Sequence, residues 1–210
     1  MRFTRVIPVL LLKNNGLVKT VKFKNSRYIG DPINAMKIFN TKQVDELVVL
    51  DIMASRDKRE PDYDFIKDIV TESFMPVGYG GGVSKLEHIR ELFQLGVDKV
   101  IINSASILQP DFIKKASEIY GNQSIVVAID VKKDIWGQYK LYSHLSGKSI
   151  KINLFEFIKK MESLGAGEII INSVDNDGVM KGYDTNLIES VAGIVQVPVF
   201  QERRIQQPPG

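Results

Sequence analysis

The chain repeats itself once. Asp45-Glu46-Leu47-Val48-Val49 stands against Gly167-Glu168-Ile169-Ile170-Ile171, and Phe74-Met75-Pro76-Val77 against Gln196-Val197-Pro198-Val199. Glu46 and Glu168 are 122 residues apart, and so are Pro76 and Pro198. The stretches between match in kind: a polar loop, then Pro61-Asp62-Tyr63-Asp64 against Lys181-Gly182-Tyr183-Asp184, then an amphipathic helix. A doubled strand–helix unit of this length predicts a βα-barrel assembled from two halves. After Pro76-Val77 the first copy runs into Gly78-Tyr79-Gly80-Gly81-Gly82, whereas Pro198-Val199 leads into a polar, Pro-ending stretch with no glycine loop. The fold class read from this is α/β, a (β/α)8-type TIM barrel of two half-repeats that is incomplete. Residues 1–200 form one domain in this reading, and 201–210 a disordered or non-native tail.

Short runs of β-branched and apolar residues, of the kind buried on both faces of a parallel sheet, alternate with amphipathic patterns. Strands are expected at Val6–Leu12, Leu47–Ile52, Met75–Gly78, Lys99–Asn103, Ile125–Val131, Glu168–Ser173 and Val197–Phe200. Helices are expected at Pro32–Thr41, Asp64–Glu72, Leu86–Leu95, Asp111–Tyr120, Leu154–Leu164 and Thr185–Ala192. Gly16–Lys24 and Gly137–Ile152 read as β-hairpins, each directly after the first strand of its half. A closed barrel has eight strands over about 250 residues. Stopping at the seventh would leave strand edges unpaired, which predicts a chain that aggregates or oligomerises and is inactive or nearly so.

The charge balance, 28 basic against 25 acidic residues, gives no support to nucleic-acid binding and suits an anionic small-molecule substrate. With no cysteine there is no disulfide and no thiolate site, as suits the cytoplasm. The apolar run before Lys13 is too short to span a bilayer, so neither a membrane association nor a signal peptide is expected.

Polar residues at the carboxyl ends of the strands are the ones to weigh for chemistry. Asp130 closes the apolar run Val126-Val127-Ala128-Ile129, as a general acid/base or as a loop cap. In the half-repeat Leu11 stands opposite Asp130, and a leucine cannot transfer a proton. Gly80-Gly81-Gly82 lets backbone N–H groups approach an anion, with Asn103 and Ser104 offering short donors from the next strand. Asp177-Gly178 is either a second such loop or a plain turn, and Asp51 either orients a substrate or caps its loop. At the opposite strand ends stand Arg5, Glu46, Lys99 and Glu168, either as solvated edge charges or as a ring of alternating charge on the barrel floor. His88 lies in a helical pattern and His144 in a hairpin; neither has a partner at metal-ligand spacing, so no metal and no cofactor are expected.

From Arg5 to about Val199 the chain resembles the cyclase subunit of imidazole glycerol phosphate synthase, and more closely that subunit's paralogue in acetamidino-sugar modification of surface polysaccharide. The matching segments are Phe23-Lys24-Asn25 with Gly30-Asp31-Pro32, Glu46 to Ile52, Gly80-Gly81-Gly82, Lys99 to Ala105, Val126 to Asp130, Gly165 to Glu168, and Asp177-Gly178 with Gly182-Tyr183-Asp184. Pro8 to Lys13 followed by Gly16 to Thr20 carries the likeness to the paralogue. In the histidine-pathway enzyme an aspartate holds the position of Leu11.

The resemblance implies the synthase subunit of a glutamine amidotransferase pair. A separate glutaminase would form a heterodimer with it and pass ammonia through a gate at the positions of Arg5, Glu46, Lys99 and Glu168. It implies that Asp130 is the retained catalytic aspartate and that Gly82, Asn103 and Ser104 match one phosphate site. Asp177 and Gly178 match part of another, and Lys19 matches a mobile lysine that closes over substrate. Two other readings stand beside this one: the cyclase of histidine biosynthesis, and an inactive scaffold that only docks a glutaminase.

Overall fold

The structure, a computed structural model, describes residues 7–42, 44–179 and 182–202. The chain begins with strand β1 (Val9–Lys13), the hairpin strands β2 (Gly16–Val21) and β3 (Lys24–Gly30), and helix α1 (Pro32–Lys42). Next come β4 (Leu47–Asp51), α2 (Tyr63–Thr71), β5 (Val77–Gly80), α3 (Leu86–Gln94), β6 (Lys99–Ile102), a short α4 (Ser104–Leu108) and α5 (Asp111–Tyr120). The second half has β7 (Ile125–Lys133), hairpin strands β8 (Tyr139–Ser143) and β9 (Lys148–Ser149), α6 (Leu154–Ser163), β10 (Glu168–Ser173), α7 (Thr185–Ala192) and β11 (Val199–Glu202). Two compact units result: residues 1–18 with 27–101, and residues 19–26 with 102–210.

In the first unit β1, β4, β5 and β6 pair in that order, all parallel, and β2 folds back antiparallel on β1. In the second unit β7, β10 and β11 pair in parallel, with β8 antiparallel on β7. These seven parallel strands, alternating with helices among the described residues, make the fold class α/β of the (β/α)8 type, incomplete. The strands are buried without alternation: Leu47, Val48 and Val49 are at most 3% exposed, and Ile125 to Ile129 at most 4%. Burial of both faces is what a parallel strand under helices requires. Each helix buries one stripe at helical spacing: Ile66 and Ile69 in α2, Ile89 and Leu92 in α3, Leu187 and Val191 in α7.

The sequence repeat is reproduced bond by bond. Leu47 N–H donates to Pro76 O at 3.0 Å, and Ile169 N–H donates to Pro198 O at 3.0 Å. Leu47 sits opposite Val77, and Ile169 opposite Val199. Asp62 caps α2 by accepting from Phe65 N–H, and Asp184 caps α7 by accepting from Leu187 N–H. The caps correct one detail of the sequence alignment: Asp62 corresponds to Asp184, so Tyr183-Asp184 and not Lys181-Gly182 stands against Pro61-Asp62. The conserved spacing of 122 residues therefore holds through the loop as well as the strands.

The third strand of each half begins two residues later than expected, at Val77 and Val199, because the preceding proline has no N–H to give the ladder. Gly78 and Gly80 then fall inside β5, where the neighbouring strand leaves no room: a Cβ at Gly80 would lie 3.0 Å from the Ile101 carbonyl oxygen. Helix α4 was not anticipated, as Asn103 to Ser106 read as a strand end. β11 runs to Glu202, and the rest of the polar terminus lies outside the described residues.

The two equivalent caps differ in load. Among the described residues the Asp62 carboxylate binds, besides Phe65 N–H, the exposed Asn15 side chain at 3.2 Å. Asp184 is 9% exposed and also accepts from the Tyr139 hydroxyl at 2.6 Å and pairs with Lys133 at 3.1 Å. Burial raises the Asp184 carboxyl, but the Tyr139 hydroxyl and the Lys133 ammonium outweigh it and hold the group below the usual carboxylate range. Asp62→Ala is expected to cost about 1 kcal/mol, as an ordinary cap does, and Asp184→Ala about 2 kcal/mol, since the half-buried Tyr139 hydroxyl also loses its acceptor and Lys133 its partner. Because the folded state lowers its pKa, Asp184 stabilises fully above the ordinary carboxylate pKa, and that contribution fades as pH falls through the lower folded value. Urea unfolding of both variants at neutral and acid pH checks this; equal losses, or a loss at Asp184 that persists at acid pH, would contradict it.

Candidate functional site

Asp130 is the sixth residue of β7, held there by the five buried apolar residues before it. It is 2% exposed, and three side chains converge on its carboxylate. Asn172, its register partner on β10, donates Nδ2–H to Oδ1 at 2.9 Å. Asn103, just past the end of β6, donates Nδ2–H to Oδ2 at 3.1 Å. His144, one residue beyond β8, places Nδ1 3.0 Å from Oδ2. The other ring nitrogen of His144, Nε2, lies 3.2 Å from the hydroxyl oxygen of Ser104. The hairpin formed by β7 and β8 brings the ring back, since Val131 pairs with Leu141 and leaves residue 144 beside the strand that carries Asp130. Both asparagines spend their amide N–H on Asp130, which leaves Asn103 Oδ1 and Asn172 Oδ1 buried with no donor among the described residues. A buried acceptor without a donor costs about 1–3 kcal/mol, a cost found where a ligand completes the bonding.

The same position in the first unit is apolar. Leu11 pairs with Leu50 across β1 and β4, as Asp130 pairs with Asn172 across β7 and β10. The following backbone bonds coincide too: Ile52 N–H donates to Leu12 O at 3.1 Å, and Val174 N–H to Val131 O at 2.9 Å. Leu11 therefore occupies the equivalent of the Asp130 position in strand register as well as in sequence.

Asp177 and Gly178 follow β10 and bind the hairpin of residues 19–26. Asp177 Oδ2 accepts from the Thr20 hydroxyl and from Phe23 N–H, both at 2.8 Å, and its carbonyl accepts from Lys22 N–H at 3.0 Å. Gly178 has φ of +67° and its α-carbon lies against the Thr20 carbonyl, so any side chain there would collide with backbone. The described contacts make this loop a clasp on the hairpin that bears Lys19, which is itself half-buried in β2.

In the first unit Asp51 ends β4 and caps the loop after it, accepting at Oδ1 from Met53 N–H (2.8 Å) and Ala54 N–H (3.0 Å) and at Oδ2 from Arg59 (3.2 Å). Gly81 and Gly82 pack on that loop. Their φ values are +129° and +71°, and a Cβ on Gly81 would lie 2.6 Å from the Asp51 carbonyl oxygen. Gly82 N–H already donates to the Ser55 hydroxyl at 3.2 Å. Burial, and after it the Asp51 charge, push the Tyr79 hydroxyl far above its ordinary value, so it stays protonated. At the amino-terminal strand ends Lys99 Nζ meets Glu46 Oε2 at 2.7 Å, with the two side chains 16% and 7% exposed. Glu168 opens β10. Arg5 lies outside the described residues.

The residues singled out by sequence thus fall into separate groups: Asp130 with Asn103 and Ser104; Asp177 and Gly178 with the hairpin of Lys19; Asp51 with Gly81 and Gly82; and Glu46 with Lys99. Sequence reasoning missed His144 and Asn172. The repeat carried the one available signal for Asn172, since it stands opposite Leu50 at the same spacing. His144 has no counterpart signal, because its role arises from a hairpin and a ring that bridges residues 14 and 40 positions away. Among the described residues no cluster of His, Asp or Glu could hold a metal, and no helix is long and apolar enough to cross a membrane.

Residues 5–201 match the family described as histidine biosynthesis protein. The hisF2 protein of Pseudomonas aeruginosa, provisionally named an imidazole glycerol phosphate synthase subunit, is 49% identical over 93% of this chain and 78% of its own length. A provisionally named subunit hisF3 of Vibrio vulnificus is 48% identical over 93% of this chain and 76% of its own. The imidazole glycerol phosphate synthase subunit HisF of Petrotoga mobilis is 40% identical over 93% of this chain and 78% of its own. With the half-repeat reproduced in register and the match extending over nearly every described residue, the chain belongs to the histidine biosynthesis protein family, in the branch of the cyclase subunit of imidazole glycerol phosphate synthase.

Proposed function

We propose that the chain is the ammonia-using synthase subunit of a glutamine amidotransferase pair and forms an acetamidino group on a surface-polysaccharide sugar. The observation that carries this reading is the inequality of the two equivalent strand positions, Asp130 beside Asn172 in one unit and Leu11 beside Leu50 in the other. A ring-forming reaction run by two carboxylates at these positions is closed to a chain with one. Adding ammonia to an acetamido carbon asks for less: one proton leaves the nitrogen as the C–N bond forms and a second as it becomes C=N, and both reach the oxygen, which departs as water when the C–O bond breaks. One alternating acid/base centre that depends on the Asp130 carboxylate serves both steps. The unsatisfied amide oxygens of Asn103 and Asn172 suit a ligand that brings N–H donors.

Within the second unit an anionic sugar derivative would be met by the Asn103 and Ser104 side chains beside Asp130 and by the Lys19 ammonium, on the hairpin that Asp177 and Gly178 clasp. Ammonia would enter from a glutaminase docked at the amino-terminal strand ends, where Glu46 and Lys99 of the first unit would act as a gate. The close Glu46–Lys99 pair supports that role, because a largely buried ion pair is a poor source of stability and so calls for another reason to be there. The names of relatives such as the Petrotoga mobilis subunit favour the histidine-pathway cyclase as the second reading.

With ammonium chloride and a nucleotide-linked diacetamido hexose, the chain together with its glutaminase is expected to form the amidine, read by mass spectrometry. Asp130→Asn should lower kcat by about 100-fold or more without loss of folding. Conversion of the histidine-pathway ribonucleotide in place of the sugar would select the second reading, and binding of a glutaminase without any turnover would select a scaffold.

Lys99→Met should lower glutamine-driven turnover on the order of tenfold while ammonium-driven turnover stays near that of the unsubstituted chain. Parallel assays with the two nitrogen sources check it; equal losses with both would show Lys99 to be structural.

A further inference from the structure

The geometry points to His144 as the group that carries protons to and from the site, with Asp130 behind it and the Ser104 hydroxyl in front. The inference rests on the proposed ammonia chemistry and names the atom at which it occurs. Asp130 is 2% exposed, and its described contacts are two carboxamides and one imidazole. Carboxamide N–H groups hold a carboxylate in place but do not exchange protons with it in catalysis, whereas an imidazole accepts at one nitrogen while donating at the other. The imidazole is also the more open group: the His144 side chain is 22% exposed and that of Asp130 3%. A proton that reaches this cluster from a ligand therefore arrives at the ring.

With the carboxylate as acceptor, Nδ1 carries the hydrogen and Nε2 accepts from the Ser104 hydroxyl. When ammonia attacks the acyl carbon, an N–H bond of the forming adduct breaks and its proton passes through the Ser104 hydroxyl to Nε2. The resulting imidazolium is held by Asp130, whose negative charge lies 3.0 Å from Nδ1. Nε2 hands that proton to the acyl oxygen, making it a hydroxyl; a second N–H proton follows the same route as the C–O bond breaks, so that the oxygen leaves as water and the amidine remains. No electron changes hands, and ring and hydroxyl finish as they began. Leu11, at the register position equivalent to Asp130, offers no such group, so the second proton carrier comes from the hairpin instead of from the other half-repeat.

Two measurements test this. The chain has two histidines, His88 and His144. In the full chain labelled with 15N-histidine, the neutral ring of His144, assigned by comparison with His144→Asn, should show its hydrogen on Nδ1. A hydrogen on Nε2 would overturn the assignment whether or not the enzyme turns over. In the ammonium assay with the nucleotide-linked diacetamido hexose, His144→Asn should lower kcat by about 100-fold or more with KM changed less than about threefold. Added imidazole should restore part of the rate to His144→Ala. Retention of kcat in both variants while Asp130→Asn loses it would remove His144 from the mechanism and leave the proposed function standing. Absence of turnover in the unsubstituted chain would instead count against the proposed function, with the ring spectrum still deciding the position of the hydrogen.

Discussion

Parallel pairing of buried strands fixes everything else in this molecule, because it permits no slip. The strands are enclosed on both faces, and every backbone N–H and C=O within them must find its partner in the neighbouring strand. Moving β10 by one residue along β7 would turn Asn172 to the opposite face and leave Asp130 with one donor fewer. The prolines at positions 76 and 198 help to set this register, since each can accept from the strand before it and give nothing back. One constraint thus places both the apolar core and the carboxylate that the core would otherwise exclude.

Much of the fold was legible in the sequence, and for a physical reason. Runs such as Ile125 to Ile129 and Glu168 to Ser173 have no alternation because both faces are covered, and the helices Asp111–Tyr120 and Thr185–Ala192 show their buried stripe at helical spacing. Edges defined by backbone supply were less legible. Val77 and Val199 open their strands only after a proline, and Ser104 to Leu108 form a short helix that no periodicity announces.

The site was legible where chemistry and position in a strand coincide, as at Asp130, Asn103 and Ser104. It was illegible where a contact spans the chain. His144 reaches Ser104 across 40 positions and Thr20 reaches Asp177 across 157, distances over which spacing carries no message. The residues flanking Asp130 also divide by function of the bond they make. Two amides can only hold the carboxylate, and the ring can hold it and react, so a structural cage and a reactive contact share one pair of oxygens.

The clasp between Asp177-Gly178 and residues 20–23 bears on how such a doubled chain can be taken apart. The sequence repeat invites a cut near Gly121, between its two copies. The hairpin that Asp177 holds, however, is encoded in the first copy and belongs structurally to the second unit. A fragment starting after Gly121 would leave the Asp177 carboxylate without the Thr20 hydroxyl and the Phe23 amide, and would bare Gly178, which is pressed against the Thr20 backbone. Gene duplication can account for the two copies, but their descendants are no longer separable: a segment has become common property, and neither copy on its own now specifies a whole half.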